Sequence, residues 1–209
     1  SGPPGRSTGP RAPLLRTLVV PPIWTGFSPH HMDFCGTISV RQSTLFSLVY
    51  DILDSLIHHG ISRILLLNSH GGNMALLRTV VDQIAIDQQI SPVYTTYWKM
   101  ISDVIDDIRL SELGGMAHAG ELETSLKLLF SKDEVKQELY KDVIPQGNEF
   151  HHVDMFATNR IEIFKPFKYW SPTGQIGVPS KAKLETGQKI LEALISGFQK
   201  LIETEWIKK

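Results

Sequence analysis

Short apolar runs alternate with amphipathic segments along the first half of the chain, and this alternation constrains the fold more than any other feature. Residues 63–67 form an apolar run bounded by polar residues, which predicts a central parallel strand covered on both faces. Residues 17–20 and 92–97 predict two further strands, and residues 41–59 and 76–84 carry apolar side chains at helical spacing. This order predicts an α/β fold with a mostly parallel sheet between helices.

The second half of the chain is less regular. A glycine pair at 114–115 is followed by a predicted helix over residues 120–130, and a final helix is predicted over residues 184–206. The 209 residues fit one domain. Residues 1–13 hold four prolines and three glycines and no apolar stretch, so we interpret them as a disordered lead or a non-native segment. Residues 14–209 are then the folded domain.

Composition narrows the classes of function. The formal net charge is −1, so no global basic field favours nucleic acid or an anionic membrane, and a small-molecule substrate is expected. The longest aliphatic run, residues 64–67, is far shorter than the roughly 20 residues of a membrane-spanning helix. The single cysteine, Cys35, excludes an internal disulfide and fits a reducing, cytoplasmic location. Any metal must therefore be held by histidines and carboxylates.

Polar loops follow two of the predicted strands. Ligands bind at the carboxyl ends of the strands in such sheets, so the loops after Val20 and Leu67 should converge on one crevice. The second loop is Asn68-Ser69-His70-Gly71-Gly72-Asn73. In one interpretation His70 is a metal ligand or base beside amides of a helix start. In the other, the segment is a tight turn with a capping Asn and a solvent-facing His.

The segment from His118 to Glu123 places one imidazole and two carboxylates at a helix start. Such groups are costly to bury without a purpose. Because residues two apart on a helix point about 200° from each other, Glu121 and Glu123 should not both face one crevice. The alternative is that both acidic residues simply favour the helix dipole.

Three pairs of adjacent histidines lie outside these motifs. His30-His31 is the most promising pair because it lies in the loop after the first predicted strand. His58-His59 ends an amphipathic helix before a glycine, which is typical of a structural terminus. His151-His152 lies in a loop-like stretch, where a structural interpretation is favoured. Cys35 is interpreted as a small apolar filler.

Together, three separated motifs make the sequence resemble the creatininase (creatinine amidohydrolase) family. The matching stretches are residues 22–28 with His31 and residues 34–38, residues 68–73, and residues 118–125, with a weaker match over residues 174–187. The resemblance extends from about Leu15 to the C-terminus. It implies a three-layer α/β/α sandwich, assembly into homohexamers, and a two-metal centre with Zn, Mn or Fe that hydrolyses a cyclic amide or another C–N bond.

The resemblance also implies roles for individual residues. His70 and Glu123 are expected to bind metal, and His118 is expected to be the acid/base that handles the proton of the tetrahedral intermediate. Glu121 is the competing carboxylate and is grouped with the catalytic residues. The residues expected to contact substrate are Ser28, His31, Gly71 and Asn73.

Two departures from the family pattern change the expectation. Gly71 and Gly72 stand where creatininase has a tyrosine and a glutamate, and a tryptophan expected near Gly114 is absent, so creatinine is not the expected substrate. The family's early Glu-x-His pair and its bridging Asp have no counterpart, since residues 1–32 hold no acidic residue. We interpret the chain as an N-terminally incomplete member, lacking the first strand and metal-ligand loop and impaired in activity. The alternatives are that a neighbouring subunit supplies the ligands, or that the chain is an inactive structural or regulatory subunit.

Overall fold

The computed structural model describes residues 17–207, so the predicted lead at residues 1–13 lies outside the described residues. The strands are β1 (Leu65–Asn68), β2 (Val93–Thr96), β3 (Met116–His118) and β4 (Ile176–Gly177), and the α-helices are α1 (Gln42–His58), α2 (Met74–Gln88), α3 (Glu121–Ser131), α4 (Phe167–Trp170) and α5 (Leu184–Ile202). Short 3-10 turns connect many of these elements. None of the described helices is both long and apolar enough to cross a lipid bilayer.

The helices form where the apolar spacing predicts them. In α1, Leu45, Val49 and Leu53 recur every four residues and are buried. The helix ends before Gly60, whose φ of +86° is the left-handed conformation that commonly terminates helices. In the later helix α5, Ile190 and Leu194 have the same spacing and are buried as well. The final helix ends at Ile202 and continues as a π-helical turn over Glu203–Ile207.

The first half of the chain forms a β-α-β unit. Strands β1 and β2 pair in parallel, with Leu65 opposite Val93 and Asn68 opposite Thr96. Helix α2 connects them and packs with α1 against the sheet, where Val80 and Ile84 are fully buried. The α/β fold class predicted from the sequence is confirmed. Both carboxyl ends of the parallel strands lie at one edge, which positions the turn after each strand beside the other.

A second core lies between α3, α5 and the turns after β2. It is built from Trp98, Ile101, Ile105, Met116, Leu122, Ile190 and Leu194. Strand β3 pairs antiparallel with β4, with an irregularity between Met116 and His118. The sequence did not predict this pair, because a two-residue strand such as β4 has no pattern of its own.

Two strand predictions need correction. Residues 17–20 form no strand, and Leu18 and Val19 are 85% and 88% exposed. Among the described residues β1 pairs only with β2, so it is not the predicted central strand. Its faces are not fully covered either, because Leu67 is 49% exposed. The reason is that a strand is defined by its hydrogen-bonded neighbours, and residues 17–20 pair with no other segment in the described part of the chain.

Candidate active site

Four histidines from three separate segments converge at the carboxyl edge of the parallel strands. His30 and His31 lie on the 3-10 turn Pro29–His31, His70 lies in the turn after β1, and His118 ends β3. The ring centroids of His30 and His70 are 5.3 Å apart and stacked, those of His30 and His31 are 4.3 Å apart, and those of His31 and His118 are 4.5 Å apart. We call these four residues the histidine cluster.

The turn after β1 is held by the side chain of Asn68. Its Oδ1 accepts a hydrogen bond from the His70 amide at 3.2 Å, and its Nδ2 donates to the His70 carbonyl at 2.8 Å. Nδ2 also donates to Thr96 Oγ1 at the end of β2. This buried amide therefore fixes the backbone of His70 relative to both parallel strands.

The loop that carries His30 and His31 is attached to the same turn. Asn73 Oδ1 accepts a hydrogen bond from the Phe27 amide at 2.9 Å, and Ser39 Oγ accepts one from the Ser28 amide at 2.8 Å. Ser28 Oγ and His31 Nδ1 are hydrogen-bonded at 2.5 Å. A short-range contact thus orients the His31 ring, and Asn73 serves as a link between the two loops.

Gly72 lies directly beneath two rings of the histidine cluster. A Cβ atom at this position would lie 2.7 Å from His30 Cε1 and 2.7 Å from His70 Nε2, and it would also collide with the Phe27 carbonyl. A side chain at position 72 is therefore incompatible with the observed positions of these rings. The space that such a side chain would fill is occupied by His30.

A strained turn links His118 to Glu123. Ala119 has a φ of +50°, which is unusual for a residue with a Cβ atom and is typical of functional sites. Its amide donates to Glu123 Oε2 at 2.6 Å, and the same oxygen lies 3.9 Å from His118 Nδ1. Gly120 packs closely against the Gly115 carbonyl, which leaves no space for a side chain. Glu123 therefore faces the histidine cluster.

Glu121 does not share this position. It is fully buried, and its two carboxylate oxygens accept hydrogen bonds from the amides of Leu110 and Ser111, both at 2.7 Å. Asp154 is fixed in a similar way, since it accepts from Arg109 and from the amides of Gly114, Met116 and Phe156. We call Glu121 and Asp154 the carboxylate anchors. These contacts favour a structural role for Glu121 over its predicted place among the catalytic residues.

Burial keeps the histidine cluster uncharged at neutral pH. Burial and then the neighbouring His118 lower the pKa of His31 to about 3, and burial and then His70 lower the pKa of His118 to about 4. Burial also lowers the pKa of His30 and of His70. Neutral imidazole is the form that binds metal ions. In the same region, burial raises the pKa of Glu123.

The arrangement fits a divalent metal ion. His31 Nε2 and His70 Nε2 are buried and have no hydrogen-bond partner by geometry, although the Phe27 backbone lies close enough to His70 to oppose the lowering of its pKa. One ring nitrogen from each of His30, His31 and His70 lies within 4.8 Å of the other two. Buried polar atoms in native proteins are nearly always satisfied by protein, water or an ion, so these two nitrogens are available as ligand atoms. Imidazole nitrogens suit zinc and related transition metals.

A crevice of about 350 Å³ opens beside the cluster. Its lining residues are Ser28, His31, Phe34, Thr37, His118, Ala119, Thr173, Gly174 and Gln175. None of them is Asp, Glu, Lys or Arg, so the crevice suits an uncharged ligand. A second cavity of about 310 Å³ lies at the ends of α1 and α2, beside His58 and His59, and is lined by none of the clustered histidines.

Comparison with known proteins identifies the family. The family model for creatinine amidohydrolase matches residues 7–202. The chain belongs to the creatininase family. It is 28% identical over 210 residues to the creatinine amidohydrolase of Pseudomonas putida, covering 93% of this chain and 77% of that protein. It is also 28% identical over 178 residues to the mycofactocin precursor peptide peptidase of Mycobacterium ulcerans (strain Agy99), covering 85% of this chain and 62% of that protein.

Solved structures agree with this membership. A creatininase variant of Zn-Zn type and a creatininase in its Mn form each superimpose with a TM-score of 0.68 at 26% identity, over 83% of this chain and 68% of theirs. A structure from Bacteroides fragilis NCTC 9343 has a TM-score of 0.76 at 20% identity, over 90% of this chain and 72% of that chain. The last comparison supports the shared fold alone.

Within this creatininase-family fold, the residues singled out from the sequence have different surroundings. Ser28, His31 and His118 line the crevice, and His70 and Glu123 lie beside it. Gly71 is exposed with nothing within 4 Å of where its Cβ would be, and the Asn73 amide is engaged by the loop. For these two residues the described contacts are those of a turn.

Two residues near the site, Phe167 and Tyr97, were not predicted from the sequence. His30 was noted only as part of the promising His30-His31 pair and was given no role of its own. The ring of Phe167 in α4 lies 4.3 Å from that of His31 and 4.9 Å from those of His30 and His118. Tyr97 follows β2, and burial and then the charge of Glu123 raise its pKa. Nothing in the local sequence distinguishes Phe167, because its contacts are all long-range.

Proposed function

We propose that this chain is a metal-dependent amidohydrolase that cleaves a cyclic amide or another non-peptide C–N bond of an uncharged small molecule. The observation that carries the proposal is the convergence of His31, His70, His118 and Glu123 beside one crevice, with two buried imidazole nitrogens that have no partner. Membership in the creatininase family supports the reaction class.

His70 and Glu123 are the proposed metal ligands carried by the sequence motifs. The cofactor would be divalent Zn, Mn or Fe, with two ions in a complete site. A bound ion of this kind lowers the pKa of a coordinated water and polarises the carbonyl of the scissile amide. The fixed backbone of His70, and the hydrogen bond from Ala119 to Glu123, hold both side chains in place before any ligand binds.

His118 is the proposed proton carrier. Its ring packs against the rings of His31 and Phe167 and lines the crevice, so it can reach a bound substrate. As a neutral imidazole it can accept a proton from the attacking water and deliver it to the leaving nitrogen. Its Nδ1 is 3.9 Å from Glu123 Oε2, which is too long for a hydrogen bond, so the ring keeps its freedom to turn toward substrate.

The crevice supports an uncharged substrate other than creatinine. Ser28, Thr37 and Gln175 offer hydroxyl and amide groups, while Phe34 offers a flat apolar wall. Ser28 and His31 are the proposed substrate contacts among the residues predicted from sequence. Gly71, Gly72 and Gly114 lack the side chains that creatininase has at these places, which is why creatinine is excluded from the proposal.

A peptide substrate is the second candidate. The mycofactocin precursor peptide peptidases of Mycobacterium ulcerans and Mycolicibacterium smegmatis are each 28% identical to this chain, as is the creatinine amidohydrolase. Identity therefore favours neither class of relative. Thr173, which lines the crevice, is exposed, and a peptide chain end could enter beside it.

The experiment is hydrolysis by the purified chain loaded with zinc or manganese, using a panel of lactams, cyclic imides, formamides and short peptides. The expected result is turnover of at least one cyclic amide or formamide that stops on chelation and returns with metal. His59→Ala, an exposed histidine outside the site, is the control and should keep full activity. Absence of any metal-dependent turnover would contradict the proposal and favour an inactive structural or regulatory subunit.

Assembly and location are also proposals. We expect a homo-oligomer, a hexamer by resemblance to the family, in the cytoplasm. Light scattering of the purified chain tests the first, since a monomer at micromolar concentration would contradict it.

A further inference from the structure

His30 is the one member of the histidine cluster that no motif of the family explains. It lies on the same short turn as His31, and its ring stacks on His70 with an interplanar angle of 6°. Its ring fills the space above Gly72 where a side chain at that position would otherwise lie. The turn between β1 and α2 therefore has no side chain at Gly72, and the ring of His30 from the neighbouring loop fills this space.

We propose that His30, His31 and His70 form a three-imidazole site for one transition-metal ion of the zinc class. The inference rests on the proposed function, because both require a metal at this crevice. It deepens that function by adding His30 and His31 to His70 as ligands of one ion and by naming the class of ion, so His31 becomes a ligand in place of the proposed substrate contact. Three neutral nitrogen donors favour zinc, cobalt or copper, whereas oxygen-rich sites favour magnesium or manganese.

The geometry is close to that of such a site. The three ligand nitrogens lie within 4.8 Å of one another. Imidazole nitrogens that share a tetrahedral zinc ion at about 2.0–2.1 Å are about 3.4 Å apart. The nitrogens would therefore need to approach one another by at most about 1.4 Å, which side-chain rotations can supply. Two of the rings already present a buried Nε2 atom with no hydrogen-bond partner.

The surroundings supply the other features of a catalytic zinc site. Ser28 Oγ lies 2.5 Å from His31 Nδ1, and when Nδ1–H donates to this hydroxyl the lone pair of Nε2 is free to bind metal. Such outer hydrogen bonds orient metal-binding histidines. Phe167 covers His30 and His31 on one side, while His31 also lines the crevice, so a fourth position can remain open to water or substrate.

The test is metal binding, measured without any substrate. Zinc affinity is measured by chelator competition, and cobalt(II) absorption reports a four-coordinate site. The variants are His30→Ala and His30→Phe. The second keeps a ring against Gly72 and Phe167 but has no ligand nitrogen, so it separates ligation from packing. His58→Ala, from the exposed pair at the end of α1, is the matched control.

We expect one tightly bound zinc per chain in the wild type and in His58→Ala. In both His30 variants the zinc affinity should fall by more than the roughly 10–100-fold loss that is typical when an outer-shell partner is removed. Both variants should also lose the absorption spectrum of tetrahedral cobalt. Wild-type zinc affinity in His30→Phe, with its circular dichroism intact, would overturn the inference. If His30→Ala does not fold, His30→Phe decides the question alone.

The outcome separates this inference from the proposed function. Loss of zinc in His30→Phe, together with no hydrolysis by the zinc-loaded wild type, would keep the three-imidazole site and reject the amidohydrolase. Zinc-dependent hydrolysis by the wild type, together with unchanged zinc affinity in His30→Phe, would keep the amidohydrolase and reject this ligand set.

Discussion

The carboxylate anchors are buried and the histidine cluster is half-buried, and the two groups differ in how their polar atoms are hydrogen-bonded. Each oxygen of Glu121 and Asp154 accepts at least one hydrogen bond from the chain. In the histidine cluster, His31 Nε2 and His70 Nε2 have none. A buried polar group whose hydrogen bonds are all made stabilises the fold. A buried polar group without a hydrogen-bond partner lowers stability until a ligand binds to it. The difference separates groups that hold the loops from groups that can act on a substrate.

The largest expected effect is on catalysis. His118→Ala should lower kcat by about 10²–10⁴-fold, because the proton transfer to the leaving nitrogen loses its carrier. Metal content should stay unchanged, since His118 is not among the proposed ligands. Parallel measurement of kcat and of bound metal tests this prediction. Loss of metal in the variant would show that His118 is a ligand.

The next largest expected effect is a loss of stability when one of the carboxylate anchors is removed. Asp154→Ala should lower the free energy of unfolding by about 3–5 kcal/mol, because it leaves the buried guanidinium of Arg109 without its carboxylate partner. Urea denaturation measures this loss. Asp82→Ala removes an exposed partner of Arg78 and should change stability by less than about 1 kcal/mol. Equal effects of the two substitutions would remove the distinction between anchors and surface carboxylates.

A matched pair two residues apart sharpens the comparison. Glu121→Gln replaces an oxygen that accepts from a backbone amide by an NH₂ group, and should cost about 1–3 kcal/mol of stability. Metal content and activity per folded molecule should be unchanged. Glu123→Gln should have the reverse pattern, with weaker metal binding and a smaller loss of stability. The prediction fails if Glu121→Gln is the variant that loses metal.

The smallest expected effect is the pH dependence of the metal-free protein. The pKa of His31 is lowered from 6.5 to about 3, so below pH 6.5 the unfolded chain binds more protons than the folded one. The free energy of unfolding should therefore fall as pH falls from 6.5 toward 3. His31→Phe should reduce this slope between pH 7.5 and 5.5, measured by urea denaturation with EDTA. An unchanged slope would show that His31 does not contribute.

Much of the fold could be predicted from periodicity, and some of it could not. The apolar spacing predicted α1, α2 and α5 within a few residues, because a helix is stabilised by contacts along one face of its own sequence. It failed for residues 17–20, because whether an apolar run becomes a strand depends on a hydrogen-bonding neighbour elsewhere. The pairing of β3 with β4 could not be predicted either, because each strand depends on a partner that is distant in the sequence.

The candidate site divides in a similar way. His70, His118 and Glu123 could be singled out from their motifs. The helical angle indicated that only one of Glu121 and Glu123 would face the crevice, but the choice depends on the distant amides of Leu110 and Ser111. Sequence could not show that His30 lies over Gly72, since residues 42 apart come together only in the folded chain.

The most direct test of the central claim is the metal-to-protein ratio of three purified proteins after equilibration with zinc and removal of the excess. The histidine cluster, which has ring nitrogens without a hydrogen-bond partner, should bind the metal. The carboxylate anchors, whose oxygens are all hydrogen-bonded, should not be needed for metal binding. We therefore expect bound zinc in the wild type and in Glu121→Gln, and its loss in His70→Ala. Retention of zinc by His70→Ala, or its absence from the wild type, would contradict the account.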